Sequence, residues 1–218
     1  MAYTRTEIIQ GVIDYISAEH YLEIGLDQGV NFNAIKVDHK VGVDLQPLPS
    51  YVRGNGSSNV THEMSSANFF AWHSSAQFDA VFIDGDHRYD GVKADLECAW
   101  RSLKSHGIIV MHDVHPRNKE QLFKRPRKAY CGFAFRAFHE ELSRESVTGF
   151  SVVDDYGVGI LARRNEYPDG PSAVEPVRNI TLRQYAKDRN KYANSRDSLC
   201  GAQNLCNMFL GAKVKGNQ

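Results

Sequence analysis

Two short runs in the middle of the chain concentrate the residues able to do chemistry. Phe82-Ile-Asp-Gly-Asp-His-Arg-Tyr89 gathers Asp84, Asp86 and His87 directly behind an apolar stretch, and Val110-Met-His-Asp-Val-His115 does the same with His112, Asp113 and His115. Asp84, His112 and Asp113 make a hard, oxygen-rich ligand set with one nitrogen, suited to magnesium or manganese, with iron and zinc not excluded. His87 is the expected general base, because an imidazole near neutrality takes a proton directly or through water, and His115 is the reserve. The structural alternative is that these acids only cap helices and pair with the histidines.

A third run, Glu23-Ile-Gly-Leu-Asp-Gln-Gly29 followed by Val30 and Asn31, puts glycines where backbone can approach a ligand and a following helix can offer free N–H groups. Its spacing is not GxGxxG, which counts against a dinucleotide pyrophosphate site and so against an NAD-linked oxidoreductase. Asp44, closing Lys40-Val-Gly-Val-Asp44, stands where a carboxylate can take both hydroxyls of a ribose. There is no GxSxG elbow or P-loop, and no cysteine is placed as a nucleophile.

Strands must hold these runs in place. Thr4-Arg-Thr-Glu7 reads as a capping box ahead of the helical stripe Ile8, Ile9, Val12, Ile13 and Ile16, and a short strand follows at 21–24. Further strands are expected at 40–44, 59–63, 78–83 and 106–111, with helices at 65–73, about 89–103 and 133–142 and a turn at 104–107. Strand, helix, strand over 78–111 with near-continuous apolar strands is the pattern of parallel pairing, since both faces are covered. The carboxyl ends of two such strands then bring Asp84 and Asp113 together. Strands near 148–153 and 158–162, around the Asp154–Gly157 turn, read as an antiparallel hairpin.

The 218 residues suit one catalytic domain, expected at 1–163, with a C-terminal extension at 164–218 that serves as a lid or a dimer contact; a homodimer is the favoured assembly. Twenty-six basic and 26 acidic residues cancel, so any attraction to nucleic acid must be local. The local candidate is Arg117 to Lys128, where Arg117, Lys119, Lys124, Arg125, Arg127 and Lys128 face one acid, Glu120. We read it as an active-site lid for an anionic small-molecule acceptor, with nucleic acid the disfavoured rival. Cys98, Cys131, Cys200 and Cys206 form no CxxC pair, and no stretch spans a membrane or serves as a signal peptide, so a cytoplasmic chain with reduced thiols is expected.

In this order, EIGLDQGVN, GVD at Asp44, THEMSSANFF, FIDGDHRYDGVKADLE and GIIVMHDVHP resemble the class I S-adenosylmethionine-dependent methyltransferases. Within them the chain looks like the small O-methyltransferases related to those acting on sugars, antibiotics and catechols, over about residues 20–115. The resemblance implies an α/β fold, a Rossmann-like three-layer sandwich with a mostly parallel sheet and an antiparallel closing hairpin. It implies S-adenosylmethionine at Glu23, Gly25, Gly29 and Asn31, with Asp27 where many relatives have another glycine. Asp44 then matches the ribose acid, Met64 and Ser65 the adenine flank, and Asp84 the acid between cofactor and metal. His112 and Asp113 stand where the metal-dependent members place an Asp–Asn or acidic pair, His112 being a departure. The expected activity is metal-assisted O-methylation of a small hydroxylated acceptor, a sugar or secondary metabolite. The alternatives are an NAD-linked oxidoreductase and a non-catalytic small-ligand binding protein.

Overall fold

A computed structural model describes residues 3–52, 59–125 and 129–168. Most of the C-terminal extension expected at 164–218, with Cys200 and Cys206, lies outside these residues, as do Arg127 and Lys128 of the basic segment.

Helix α1 (Arg5–Ile16) starts where the sequence places it. The Thr4 side chain accepts from the Glu7 N–H, and the Glu7 carboxylate accepts from the Thr4 N–H at 2.8 Å. There follow β1 (His20–Ile24), α2 (Val30–Ala34), β2 (His39–Asp44), β3 (Asn59–Glu63), α3 (Ser66–Trp72) and β4 (Phe78–Ile83). The chain continues through α4 (Tyr89–Ser102), β5 (Leu103–Met111), a 3-10 turn at Lys119–Leu122, α5 (Ala134–Leu142), β6 (Val147–Val152) and β7 (Val158–Arg163).

One seven-stranded sheet runs β3-β2-β1-β4-β5-β7-β6. The first five strands are parallel, and β7 pairs antiparallel with both β5 and β6. The expected α/β sandwich, mostly parallel with an antiparallel closing hairpin, is therefore present. Alternation along the strands splits the core into two layers of side chains. Ala80, Phe82, Ile108 and Val110 pack with Ile8, Ile9, Val12 and Ile13 of α1. Val81, Ile83, Ile109 and Met111 face Leu96 and Ala99 of α4 and Phe138 of α5. Each such large apolar side chain contributes about 1.5–3 kcal/mol by leaving water.

The turn expected at 104–107 is instead part of β5. Arg163 donates to the carbonyls of Lys104, Trp100 and Leu103, which satisfies backbone that local sequence alone would leave to a turn. The irregularity survives as a register shift against β4 between Phe78 and Ala80, with His106 at φ 59. Among the described residues, no helix is long and apolar enough to cross a membrane.

His139 on α5 is only 5% exposed, and burial, with the charge of His115, pushes its pKa down to about 4. It folds neutral, whereas an unfolded histidine binds a proton below about pH 6.5, so the unfolded state gains protons first and stability falls as pH drops from about 6.5 to about 4. Buried Glu23, raised to about 8, acts in the opposite direction above about pH 4.5. The contribution of His139 therefore appears as a difference. Urea unfolding of wild type and His139→Gln between pH 4 and 7 is expected to diverge by about 2–4 kcal/mol, with wild type losing more stability toward acid.

Candidate functional site

β1 and β4 are neighbours, although the chain leaves β1 toward β2 and β3 and returns on the other side. That reversal opens a crevice at their carboxyl ends. Gly25 lines it with φ +87, and a Cβ there would lie 2.2 Å from the Asp84 carbonyl oxygen. Its N–H donates to Val43 O at 2.8 Å, and the Asp84 N–H donates to Ile24 O at 2.8 Å. The glycine turn and the first acidic residue are thus in backbone contact, which only a residue without a side chain permits.

Asp44 shapes this turn from β2. Its Oδ2 accepts the Leu26 and Asp27 N–H groups at 2.7 and 3.0 Å, and Oδ1 accepts from Gln46 at 2.8 Å. Three of a carboxylate's roughly four acceptor positions are filled, leaving room for one more donor. Glu23 is 1% exposed beneath the turn and receives Tyr21 Oη at 2.7 Å and Asn31 Nδ2 at 2.9 Å; burial raises its pKa to about 8. Asn31 in turn accepts from the Thr6 hydroxyl at 2.8 Å. Gly29 abuts Val52 at the start of α2, Met64 is half-buried, and the Ser65 hydroxyl caps α3 by accepting from Asn68. Val30 and Leu45, next to the turn and to Asp44, are large apolar side chains left 74% and 69% exposed.

Beyond Gly25, ligand atoms of Asp84, His87 and Asp113 all lie within 4.8 Å of one another. His87 Nδ1 is 3.0 Å from Asp113 Oδ2, and Nε2 is 3.7 Å from Asp84 Oδ1. That Nδ1 is buried without an aligned hydrogen bond, and the ring stacks on Tyr130 at 5.2 Å. Burial opposes ionisation of Asp113, yet His112 and His87 hold its carboxyl well below the usual range. Its φ of 60 is a left-handed backbone, which Asp tolerates better than most residues. A small hollow, with room for about one water, lies beside Asp84, His87 and His112 and is lined by Val92, Met111 and Ala134.

His112 sits next to this trio rather than in it. Its Nε2 lies 2.7 Å from the Asp155 carbonyl, and its Nδ1 lies 3.2 Å from Asp84 Oδ1. Burial works against a charge here, but Asp84, Asp113 and Asp155 raise its pKa well above the histidine norm. Its Nδ1 also lies 3.2 Å from Arg5 Nη1, so both ring nitrogens already have protein partners, and it is His87 that comes within ligand distance of both Asp84 and Asp113, where the sequence reading put His112. His115 is buried against Gly157, donates its backbone N–H to Tyr156 O at 2.8 Å, and is not part of the trio. Asp86 turns to Arg88, at 2.6 Å.

Sequence reading missed Arg5, whose Nη1 donates to Asp84 Oδ2 at 2.6 Å, and Asp155, which receives Arg5 Nε at 3.1 Å. Only the capping box pointed to this stretch, and it marked the helix, not the guanidinium. The described part of the basic segment is folded. Gln121 Oε1 accepts the Arg117 N–H at 2.6 Å, and its carbonyl accepts Cys131 N–H at 2.7 Å, so the loop's two ends meet there. Lys119, Lys124 and Arg125 are exposed.

Gly25→Ala is expected to cost at least about 2 kcal/mol, from the positive φ and the collision with Asp84. Urea unfolding measures this loss.

Residues 22–114 match the profile of a methyltransferase-domain family. Curated proteins give no match. Solved structures with the same fold include an O-methyltransferase from Bacillus cereus in complex with SAH, 14% identical, with 75% of this chain and 82% of that one covered at a TM-score of 0.55. The O-methyltransferase TomG of Streptomyces achromogenes, involved in tomaymycin synthesis and solved with SAM, is 18% identical, with 73% and 79% covered at 0.53. The SAH-bound methyltransferase PaMTH1 of Podospora anserina is 16% identical, with 74% and 79% covered at 0.53. The strand order, the antiparallel β7 and the methyltransferase-domain match over residues 22–114 establish that this chain has the class I S-adenosylmethionine-dependent methyltransferase fold.

Proposed function

We propose that the protein methylates an oxygen of a small hydroxylated acceptor, a sugar or secondary metabolite, using S-adenosylmethionine and a divalent cation, magnesium or manganese, held by Asp84, His87 and Asp113. The observation that carries this reading is the backbone contact between Gly25 and Asp84, which sets the glycine turn directly against the carboxylate–imidazole trio. The trio suits such an ion by its donor set, two carboxylates and one imidazole, and by the buried, unaligned His87 Nδ1. The cofactor supplies the methyl group, and the cation supplies Lewis-acid stabilisation of the acceptor oxygen.

The chain's own residues do the rest. Gly25 and Gly29 admit the cofactor to the turn, Glu23 and Asn31 fix the turn from below, and Asp44 offers its remaining acceptor position to a ribose hydroxyl. Val30 and Leu45, together with Met64 and Ser65, offer a flank for adenine, which would cover apolar surface now in water. Asp113 holds His87 in place, and the acceptor oxygen comes to lie beside Asp84 and His87. Exposed Lys119, Lys124 and Arg125 favour an acceptor bearing a carboxylate or phosphate. We place the catalytic domain at residues 1–163 of a cytoplasmic homodimer.

A second reading is favoured by the 3.0 Å approach of His87 Nδ1 to Asp113. In it no cation is used, and His87, oriented by Asp113, accepts the acceptor's proton as general base.

Calorimetry with S-adenosylhomocysteine should show binding in wild type and a loss of about 1.5–3 kcal/mol in Asp44→Asn. No binding by wild type, or displacement by NAD instead of S-adenosylmethionine, would reject the methyltransferase reading. With an acceptor found by library screening, chelation is expected to abolish turnover and magnesium or manganese to restore it, and Asp113→Asn to lower kcat by about 100-fold or more. Full turnover after chelation selects the cation-free reading.

A further inference from the structure

Arg5 is the first residue of α1, where a positive charge is unfavourable against the helix dipole. Its position is explained only by distant partners. Nη1 reaches Asp84 Oδ2 at 2.6 Å, while Nε and the Arg5 backbone N–H both reach Asp155 Oδ2, at 3.1 and 2.9 Å. The side chain of Asp84 is therefore divided. Oδ2 belongs to Arg5, and Oδ1 faces His112 Nδ1 at 3.2 Å and His87 Nε2 at 3.7 Å.

We propose that Arg5 is a positioning residue of the cation site: it fixes the rotation of the Asp84 carboxylate so that Oδ1 points into the trio with His87 and Asp113. This inference rests on the cation reading of that trio. A carboxylate free to rotate must lose that freedom on binding a metal, whereas one already held by a hydrogen bond from its other oxygen does not. Arginine suits the task because its planar fork reaches two carboxylates at once, Asp84 from one terminal nitrogen and Asp155 from Nε, at a fixed angle. Lysine, a single point charge, can satisfy one of them and leaves the other free. The neighbouring Thr6 donates to Asn31, which donates to Glu23, so the first turn of α1 is itself held from the cofactor side and carries Arg5 to Asp84 in a fixed place.

The alternative is that Arg5 merely staples α1 to the domain, and metal affinity separates the two. Manganese binding is followed by electron paramagnetic resonance on the cofactor-free full chain for wild type, Arg5→Gln, Arg5→Lys and Asp155→Asn, with unfolding measured in parallel. Arg5→Gln is expected to raise the Kd for manganese by about 10- to 100-fold, Arg5→Lys to fall between it and wild type, and Asp155→Asn, whose amide oxygen still accepts from Arg5 Nε and N–H, to lose stability with the Kd within about threefold of wild type. A Kd in Arg5→Gln equal to or tighter than that of wild type overturns the proposal and leaves the cation reading intact. Absence of manganese binding by wild type overturns both.

Discussion

Three carboxylates, Asp84, Asp113 and Asp155, converge at one end of the sheet, and Arg5 and His112 lie between them within ion-pair distance. Removing charges from water costs several kcal/mol each, and a network of this kind is tolerable when every partner is present and hydrogen-bonded. The two ring nitrogens of His112, Nδ1 toward Asp84 and Nε2 toward the Asp155 carbonyl, tie the end of β4 to the hairpin turn before β7.

The topology supplies that turn. β7 runs antiparallel beside β5, with Met111 opposite Gly159, so the residues just before β7 must arrive where β5 ends. Were β7 parallel, its entry would lie at the other end of the strands and Asp155 could not reach His112. Insertion of β7 between β5 and β6 is thus a condition for balancing the acidic cluster as well as a way to close the sheet. Asp155 and Tyr156 adopt positive φ in this turn, at 48 and 61, a local cost consistent with a conformation imposed by its tertiary contacts.

The same constraint explains the place of α1. Arg5 and Thr6 are consecutive, yet one reaches Asp84 and the other, through Asn31, reaches Glu23. A helix whose first turn touches both the glycine turn and the carboxylate trio has little freedom to move relative to either. The glycine turn and the carboxylate–imidazole trio are parts of one hydrogen-bonded frame, joined again by the contact of Gly25 with the Asp84 backbone.

Much of this was legible in sequence, for local reasons. Parallel strands covered on both faces read as the apolar runs at 78–83 and 106–111, the Thr4–Glu7 cap marks its own helix, and acids directly behind strands must lie at the carboxyl end of the sheet. Residues 23–44 and 84–113 thus disclose a ligand crevice and its chemical types. Which imidazole comes within ligand distance of both Asp84 and Asp113 was not legible. His87 and His112 are equally near Asp113 in chemical character, and what separates them is Asp155, 43 residues from His112, and Arg5, 107 residues away. Sequence determined which groups arrive at the crevice. Tertiary structure alone decided which of them meet and which turn to other partners, because a side chain's orientation and surroundings depend on groups brought near it by the fold rather than along the chain.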